Sequence, residues 1–309
     1  MNVIRAAKEL QNTSRKVSLA IGFFDGVHLG HQQIIRQTIA DARAVNGLSL
    51  VVTFDVHPSV IVNPAHAPAL IYPLPQKLRV IESLGADALL LVHFDKAFSE
   101  QSGELFIRNL ARDPGKIHSI CVGADFTFGH KRSGNVDLLK QLGAELGFTV
   151  HGMSAVSLDD RAVSSTRIRE TIRAGLLDDA SQMLGRAYSI CGKVIRGDQI
   201  GRKLGFPTAN LDCSGLVLPP PGVYTVNAKV GQQTHPAVVN IGARPTVAAG
   251  LPKIRVEAHL LDFNGDLYDQ DIELLLGQKI RDEFKFPNLD ALKGQIARDI
   301  AQARSLLLP

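Results

Sequence analysis

The run Gly22-Phe23-Phe24-Asp25-Gly26-Val27-His28-Leu29-Gly30-His31 most constrains what this chain can fold into. It follows an apolar, strand-like stretch over 17–23 and opens a helix-like one over 32–45. A strand that feeds glycine turns and then a helix N-terminus is a place where phosphate binds. The first N–H groups of the helix have no intrahelical partner, and the helix dipole adds roughly +0.5 charge there. Gly26 and Gly30 let backbone approach a ligand closely, and His28 and His31 bring two imidazoles to the same turn. The arrangement suits a nucleoside triphosphate, although the spacing is neither a P-loop nor Gly-x-Gly-x-x-Gly. No Cys or carboxylate cluster nearby completes a zinc ligand set with the two His.

The rest of the first half alternates β-rich and helix-like segments. Residues 48–54, 87–94, 117–123 and 148–153 read as buried strands, and 76–84, 103–111 and 136–146 carry apolar residues at helical spacing. Such alternation builds βαβ units, hence an α/β fold with a parallel sheet and ligands at the carboxyl ends of its strands. After about Gly185 the character changes. Residues 188–196, 222–230, 235–241, 253–262 and 270–276 read as strands between Gly, Pro and Asn turns, the pattern of an antiparallel barrel or sandwich. Leu289, Leu292, Ile296 and Ile300 then add an amphipathic helix. A length of 309 residues is comfortable for two domains. The expected division is 1–186 and 187–309, with 176–184 as a bridging helix.

No apolar run reaches the length of a membrane span, and Met1 to Leu10 lacks the apolar core of a secretion signal. Cys121, Cys191 and Cys213 are odd in number and form no Cys-x-x-Cys, which fits reduced thiols in a cytoplasmic protein. The net charge is only +4, without a Lys/Arg block, so small-molecule partners are expected rather than nucleic acid or membrane.

Other motifs follow the expected strands. Asp55-Val56-His57-Pro58 places His57 either beside a phosphate or in an ordinary loop. In Gly123-Ala124-Asp125-Phe126-Thr127-Phe128-Gly129, Asp125 offers a polar contact, and Phe126 and Phe128 either flank a planar ring or plug the core. Lys131 and Arg132 come next and could meet phosphate. Val163-Ser164-Ser165-Thr166-Arg167-Ile168-Arg169 supplies helix caps, or a second anion site at a helix start. In the second half, Gly201, Arg202, Lys203 and Gly205 make a cationic loop ahead of Pro207. Thr208 and Asn210 either belong to an ordinary turn after Pro207 or alternate on an extended segment, where their oxygens face one side as a donor set that suits Mg²⁺. Glu257 interrupts an apolar strand and is either an outward-facing glutamate or a base.

The first motif resembles the signature of the flavin-adenylylating branch of the His-x-Gly-His nucleotidyltransferases. That resemblance implies that His28 and His31 contact the triphosphate and stabilise charge as pyrophosphate leaves. It also places Gly22, Phe24, Asp25, Gly26 and Gly30 around the nucleotide. Residues 123–129 resemble that family's Gly-x-Asp/Asn-Phe-x-Phe-Gly. Residues 163–169 resemble its Ile-Ser-Ser-Thr-x-Ile-Arg, which assigns Ser164, Ser165, Thr166 and Arg167 to the triphosphate. Val56 stands where proline is usual.

Residues 197–210 resemble riboflavin kinase, Gly-x-x-x-Gly-Arg-x-Leu-Gly-Phe-Pro-Thr-Ala-Asn, with further matches at 221–224, 240–246, 257–263 and 280–286. There the resemblance implies Gly201, Lys203, Gly205 and Pro207 at the nucleotide and Thr208 and Asn210 on Mg²⁺. It also implies Glu257 as base and Arg281 and Glu283 at the flavin. Val247 replaces the usual Phe. Both sets together resemble the bacterial bifunctional riboflavin kinase/FMN adenylyltransferases, also called FAD synthetases. The family pairs a Rossmann-like nucleotidyltransferase domain with a β-barrel kinase domain. The implied chemistry is riboflavin plus ATP to FMN and ADP, then FMN plus ATP to FAD and pyrophosphate, both with Mg²⁺. An adenylyltransferase for another acceptor has no use for the barrel, and a flavin carrier leaves two phosphate motifs idle.

Overall fold

The alternation in the first half is present as a six-stranded parallel sheet. The computed structural model describes residues 1–10, 14–112, 116–244 and 253–307, with backbone alone for Ile200, Lys203, Ala243, Arg244 and Lys253. The elements in order are β1 (Asn2–Ile4), β2 (Val17–Ile21), α1 (Leu29–Ala44), β3 (Leu48–Phe54), α2 (Pro58–Val62), α3 (Leu74–Ser83) and β4 (Ala88–Val92). Next come α4 (Lys96–Ser99), α5 (Gly103–Arg112), β5 (Ile117–Gly123), α6 (Val136–Leu146) and β6 (Thr149–Met153). The strand order is β1-β4-β3-β2-β5-β6 and every neighbouring pair is parallel.

Both faces of this sheet are covered, which is why its strands read as continuous apolar runs. Leu19, Ile21, Leu50, Val52 and Leu90 face Ile107, Leu110, Leu139 and Leu142 of α5 and α6. The alternating residues Ala20, Val51, Leu89 and Leu91 face Ile34, Ile35 and Ile39 of α1 and Ile81 of α3. The chain steps from β2 through β3 to β4 on one side, then returns for β5 and β6 on the other. The reversal opens a crevice at the carboxyl ends of β2 and β5, the usual ligand position in such sheets.

A short hairpin, β7 (Ser157–Leu158) with β8 (Arg161–Ala162), precedes α7 (Ser165–Arg173) and α8 (Leu177–Leu184). The hairpin and β1 are too short for periodicity to register. The remaining elements are β9 (Ser189–Ile195), α9 (Ile200–Leu204), β10 (Ala209–Asp212), β11 (Gly222–Val230), β12 (Gln233–Arg244), β13 (Lys253–Leu260), β14 (Asp271–Arg281) and α10 (Leu289–Leu307). These strands close a barrel in the order β10-β13-β12-β11-β14-β9, all antiparallel, so the choice between barrel and sandwich falls to the barrel. Closure leaves no edge strand to protect. Val256 and Ala258 are buried, while Glu257 between them stays accessible. Helix α10 packs Ile300 and Ala303 on Val223 and Val238.

Two compact units result: Met1–Ala69 with Leu74–Ser165, and Leu70–Pro73 with Thr166–Pro309. Leu70 joins the second by exchanging backbone hydrogen bonds with Gly215 and Val217.

Candidate active sites

In the first unit, β2 ends in a turn that only a special backbone can make. Phe24, Gly26 and Val27 all have positive φ, at 55°, 73° and 42°. The turn finishes at His28, which caps α1: its Nδ1 accepts the His31 N–H at 3.4 Å. Helix α1 therefore starts three residues before the expected 32–45, and both imidazoles lie at its N-terminus. Their rings stack with centroids 3.6 Å apart, and Phe24 meets His31 edge-on at 5.3 Å. Gln32 donates to the Val27 carbonyl at 3.0 Å, and the Ser165 hydroxyl donates to the Asp25 carbonyl at 3.0 Å. Asp25 is buried.

The turn opens on a cavity of about 260 Å³, bounded by Gly22, Phe24, His28, Gly30 and His31 on one side and by Asp125 and Phe126 on the other. It occupies the crevice that the strand order creates. Phe128 stacks under Phe126 at 5.2 Å, packs on Phe106, and closes over Gly134, where a Cβ would strike its ring. His57 caps α2 by accepting the Ser59 N–H at 3.1 Å, and its ring edge meets Phe23. Ser164 and Ser165 lead into α7, followed by an exposed Thr166 and a half-buried Arg167.

In the second unit, α9 sits inside the glycine loop, bracketed by Gln199 at φ 56° and Gly205 at φ 89°. Gly201 is needed there, because a Cβ would lie 2.5 Å from the Phe206 carbonyl oxygen. Ala209 is buried on β10, so Thr208 and Asn210 share the other face. The register then sets Asn210 opposite Glu257 across β10 and β13, and Asn240 opposite Glu257 across β12 and β13. Residues directly opposite on neighbouring strands point to the same side of the sheet. Arg255 approaches the Glu257 carboxylate at 3.6 Å and holds Asp198 at 2.9 Å.

Thr208 borders two cavities. One, of about 480 Å³, includes Arg202, Pro207 and Tyr268; the other, of about 330 Å³, includes Gly201, Glu257, Asn240, Phe284 and Phe286. Asn210 lines neither of these and borders a third space beside Gly197 and Arg255. The lysine side chain at 203 and the motif residues 245–247 lie outside the described residues.

Arg281 is engaged within the chain. Its guanidinium makes a forked ion pair with Asp299 of α10, Nη2 to Oδ2 at 2.8 Å and Nε to Oδ2 at 3.0 Å, and lies over Phe284 and Phe286. Gln295 also donates to Asp299, which is buried. Glu283 is exposed, and the Asn240 amide reaches it at 3.4 Å. Asp299→Ala is expected to destabilise the second unit by about 3 kcal/mol, since it strips a part-buried guanidinium of its counter-charge. Urea unfolding of the full chain, followed by a probe in the barrel, checks this; an unchanged midpoint would refute it.

Asn240, Asp299 and Arg255 were not singled out from sequence as site residues. Asp299 carried a signal: it falls on the apolar stripe of α10 between Ile296 and Ile300, where a carboxylate needs a partner. Asn240 lay inside a motif, but only strand pairing puts it beside Glu257.

The FAD synthetase family model matches residues 10–167, and the riboflavin kinase family model matches 184–307. A bifunctional riboflavin kinase/FMN adenylyltransferase of Pseudomonas fluorescens is 38% identical over 309 residues, 100% of this chain and 99% of that protein. The protein of the same name from Escherichia coli K12 is 38% identical, over 98% of this chain and 97% of its own. A Streptococcus pneumoniae crystal structure titled as a macrolide-efflux protein superposes with a TM-score of 0.82 at 28% identity, covering 98% of both chains. Among the described residues of the present chain, no helix is long and apolar enough to cross a membrane. With both family models matched in order and relatives similar from end to end, the chain belongs to the bifunctional riboflavin kinase/FMN adenylyltransferase family.

Proposed function

We propose that this enzyme makes FAD from riboflavin in two ATP-dependent steps, with 1–186 as the adenylyltransferase domain and 187–309 as the kinase domain. The observation that supports this reading is that each half has its own cavity bordered by its motif residues, in a chain that matches bifunctional relatives over its whole length.

In the kinase step, the ribityl 5′-hydroxyl of riboflavin attacks the γ-phosphorus of ATP and ADP leaves. Glu257 accepts the hydroxyl proton from the accessible face of β13. The cavity that includes Arg202 and Pro207 takes the nucleotide, and the one with Phe284 and Phe286 takes the flavin. Thr208 stands at their common border, where the reacting groups meet. Gly201, Lys203 and Gly205 belong to the loop over the phosphates, and Arg281 and Glu283 to the flavin side. Thr208 and Asn210 would hold Mg²⁺ as two neutral oxygen donors on one face of the segment, and Gly197 lets the Asn210 amide pack where a Cβ would collide with it. When bound, Mg²⁺ offsets charge on the β- and γ-phosphates.

In the adenylyl step, the FMN phosphate attacks the α-phosphorus of ATP and pyrophosphate leaves. Positioning and charge stabilisation supply the rate. His28 and His31 meet the triphosphate at the α1 N-terminus, with Gly22, Phe24, Asp25, Gly26 and Gly30 shaping the turn. Asp125 and Phe126 offer a polar contact and an aromatic face, Phe128 backs Phe126, and His57 steadies the loop after β3. Ser164, Ser165, Thr166 and Arg167 form the helix start that the motif assigns to triphosphate. A cytoplasmic site of action, where ATP is available and thiols stay reduced, suits the unbridged Cys121, Cys191 and Cys213.

The test is a chromatographic product assay of the purified protein with ATP and Mg²⁺, once with riboflavin and once with FMN. FMN followed by FAD is expected in the first reaction and FAD in the second; no product in either would overturn the reading. Adding excess EDTA is expected to stop both steps, and restoring Mg²⁺ to revive them.

A further inference from the structure

Lys77 lies on α3, outside every motif discussed above, yet its side chain is almost fully buried, at 3% exposure. A buried ammonium is costly unless each proton finds an acceptor. Here all three do: Nζ donates to the Phe23 carbonyl at 3.1 Å, to Thr53 Oγ1 at 3.2 Å and to the Phe54 carbonyl at 3.0 Å. It also lies 4.1 Å from the centre of the Phe23 ring.

These acceptors sit at the carboxyl ends of β2 and β3. Directly beyond Phe23 the chain enters the positive-φ turn at Phe24, Gly26 and Val27 that delivers His28 and His31. Non-glycine residues hold such backbone only when their surroundings enforce it. Directly beyond Phe54 come Asp55 and His57. Thr53 adds its own bond to the Phe23 carbonyl, at 2.9 Å. One ammonium thus ties together the roots of both loops.

We propose that Lys77 is a positioning residue for adenylyl transfer, holding the ends of β2 and β3 together so that the strained turn presents His28 and His31 to the triphosphate. The proposal rests on the reading of the first unit as the adenylyl-transferring one. It has a chemical corollary. The ammonium donates three bonds and the neutral amine only two, so the tie is complete only while Lys77 is protonated. Burial pulls this lysine down to about 8, against the attraction of Asp25 and Asp55. Asp25 faces it from the turn after β2 and Asp55 from the end of β3. His93 pairs with Asp55, and His57 touches the Phe23 ring. Burial raises the Asp55 carboxyl, but the hydrogen bonds from His93, Phe94 and Val56 outweigh it and hold the group below its ordinary value.

The experiment uses the full chain with Lys77→Met and Lys77→Arg. Initial rates of FAD formation from FMN, and of FMN formation from riboflavin, are measured between pH 6.5 and 9.5 (about one and a half units either side of 8). Misplacement of the turn is expected to lower kcat for FAD formation about 100-fold in Lys77→Met, with KM for ATP changed by less than about threefold. FMN formation stays near wild type in both variants. Wild-type kcat for FAD falls as pH rises through about 8. Lys77→Arg keeps part of the activity and loses that alkaline limb, because its guanidinium stays charged.

Lys77→Met with wild-type kcat for FAD, or Lys77→Arg with the wild-type pH profile, would overturn the proposal. If Lys77→Met fails to fold, the pH profile of Lys77→Arg decides alone. Wild-type protein that makes FMN but never FAD would overturn the reading of the first unit, and the role of Lys77 with it.

Discussion

Glu257→Ala in the full chain is expected to lower FMN formation from riboflavin by about 10²–10⁴-fold, while FAD formation from supplied FMN continues. Glu257 stands on β13 with Asn210 opposite on one neighbouring strand and Asn240 on the other. Its carboxylate borders the cavity that also holds Thr208, so a hydroxyl placed there has an acceptor for its proton. Arg255, 3.6 Å away, supplies a positive neighbour. Glu257→Gln keeps the size and removes the basic oxygen; it should fail as badly as Glu257→Ala. A Gln variant of near wild-type rate would show that the residue does not act as base. Loss of both activities in a variant that still folds would break the assignment of the two steps to two sites.

The double change His28→Ala with His31→Ala is expected to have the opposite effect. FAD formation should fall by at least about 10²–10³-fold, the range for removing a preorganised group that stabilises developing charge. FMN formation should persist, so that riboflavin and ATP give FMN that accumulates. The rings stack at 3.6 Å over the start of α1, where the helix N-terminus already favours anions. His28 also caps that helix, so alanine there costs about 1 kcal/mol of stability as well. Circular dichroism and the retained kinase rate separate that small loss from the chemical one. A double variant that still converts FMN to FAD at the wild-type rate would remove the imidazoles from the mechanism.

How much of this was legible in the sequence depended on how local each feature is. Strands β3, β5 and β11 and helix α6 are read with their observed bounds, because apolar runs there meet turn residues at both ends. Strands β12 and β14 extend past the expected 235–241 and 270–276, to Arg244 and Arg281. Their added residues, such as Gly242 and Lys279, are poor strand formers that pairing alone holds extended. Lys77 falls on a helix of ordinary periodicity, where a lysine reads as solvated. Nothing within a few residues of it says that three acceptors wait on other strands. Arg281 illustrates the same point from the other side. The motif assigned it to flavin, and the fold also gives it a buried carboxylate on α10.

The sequence alone pointed to the local frames: a strand, glycine turns and a helix start around His28 and His31, and alternating oxygens at Thr208 and Asn210. Those features rest on backbone dihedrals and hydrogen bonds that span four residues or so, and residue identity controls them directly. Tertiary structure decided which distant groups converge: Ser165 on the carbonyl of Asp25, 140 residues away, Asn210 and Asn240 on either side of Glu257, and Lys77 across the roots of two loops. Strand order, register and helix docking set these encounters. They are fixed by packing over the whole core, which no short stretch of the chain contains.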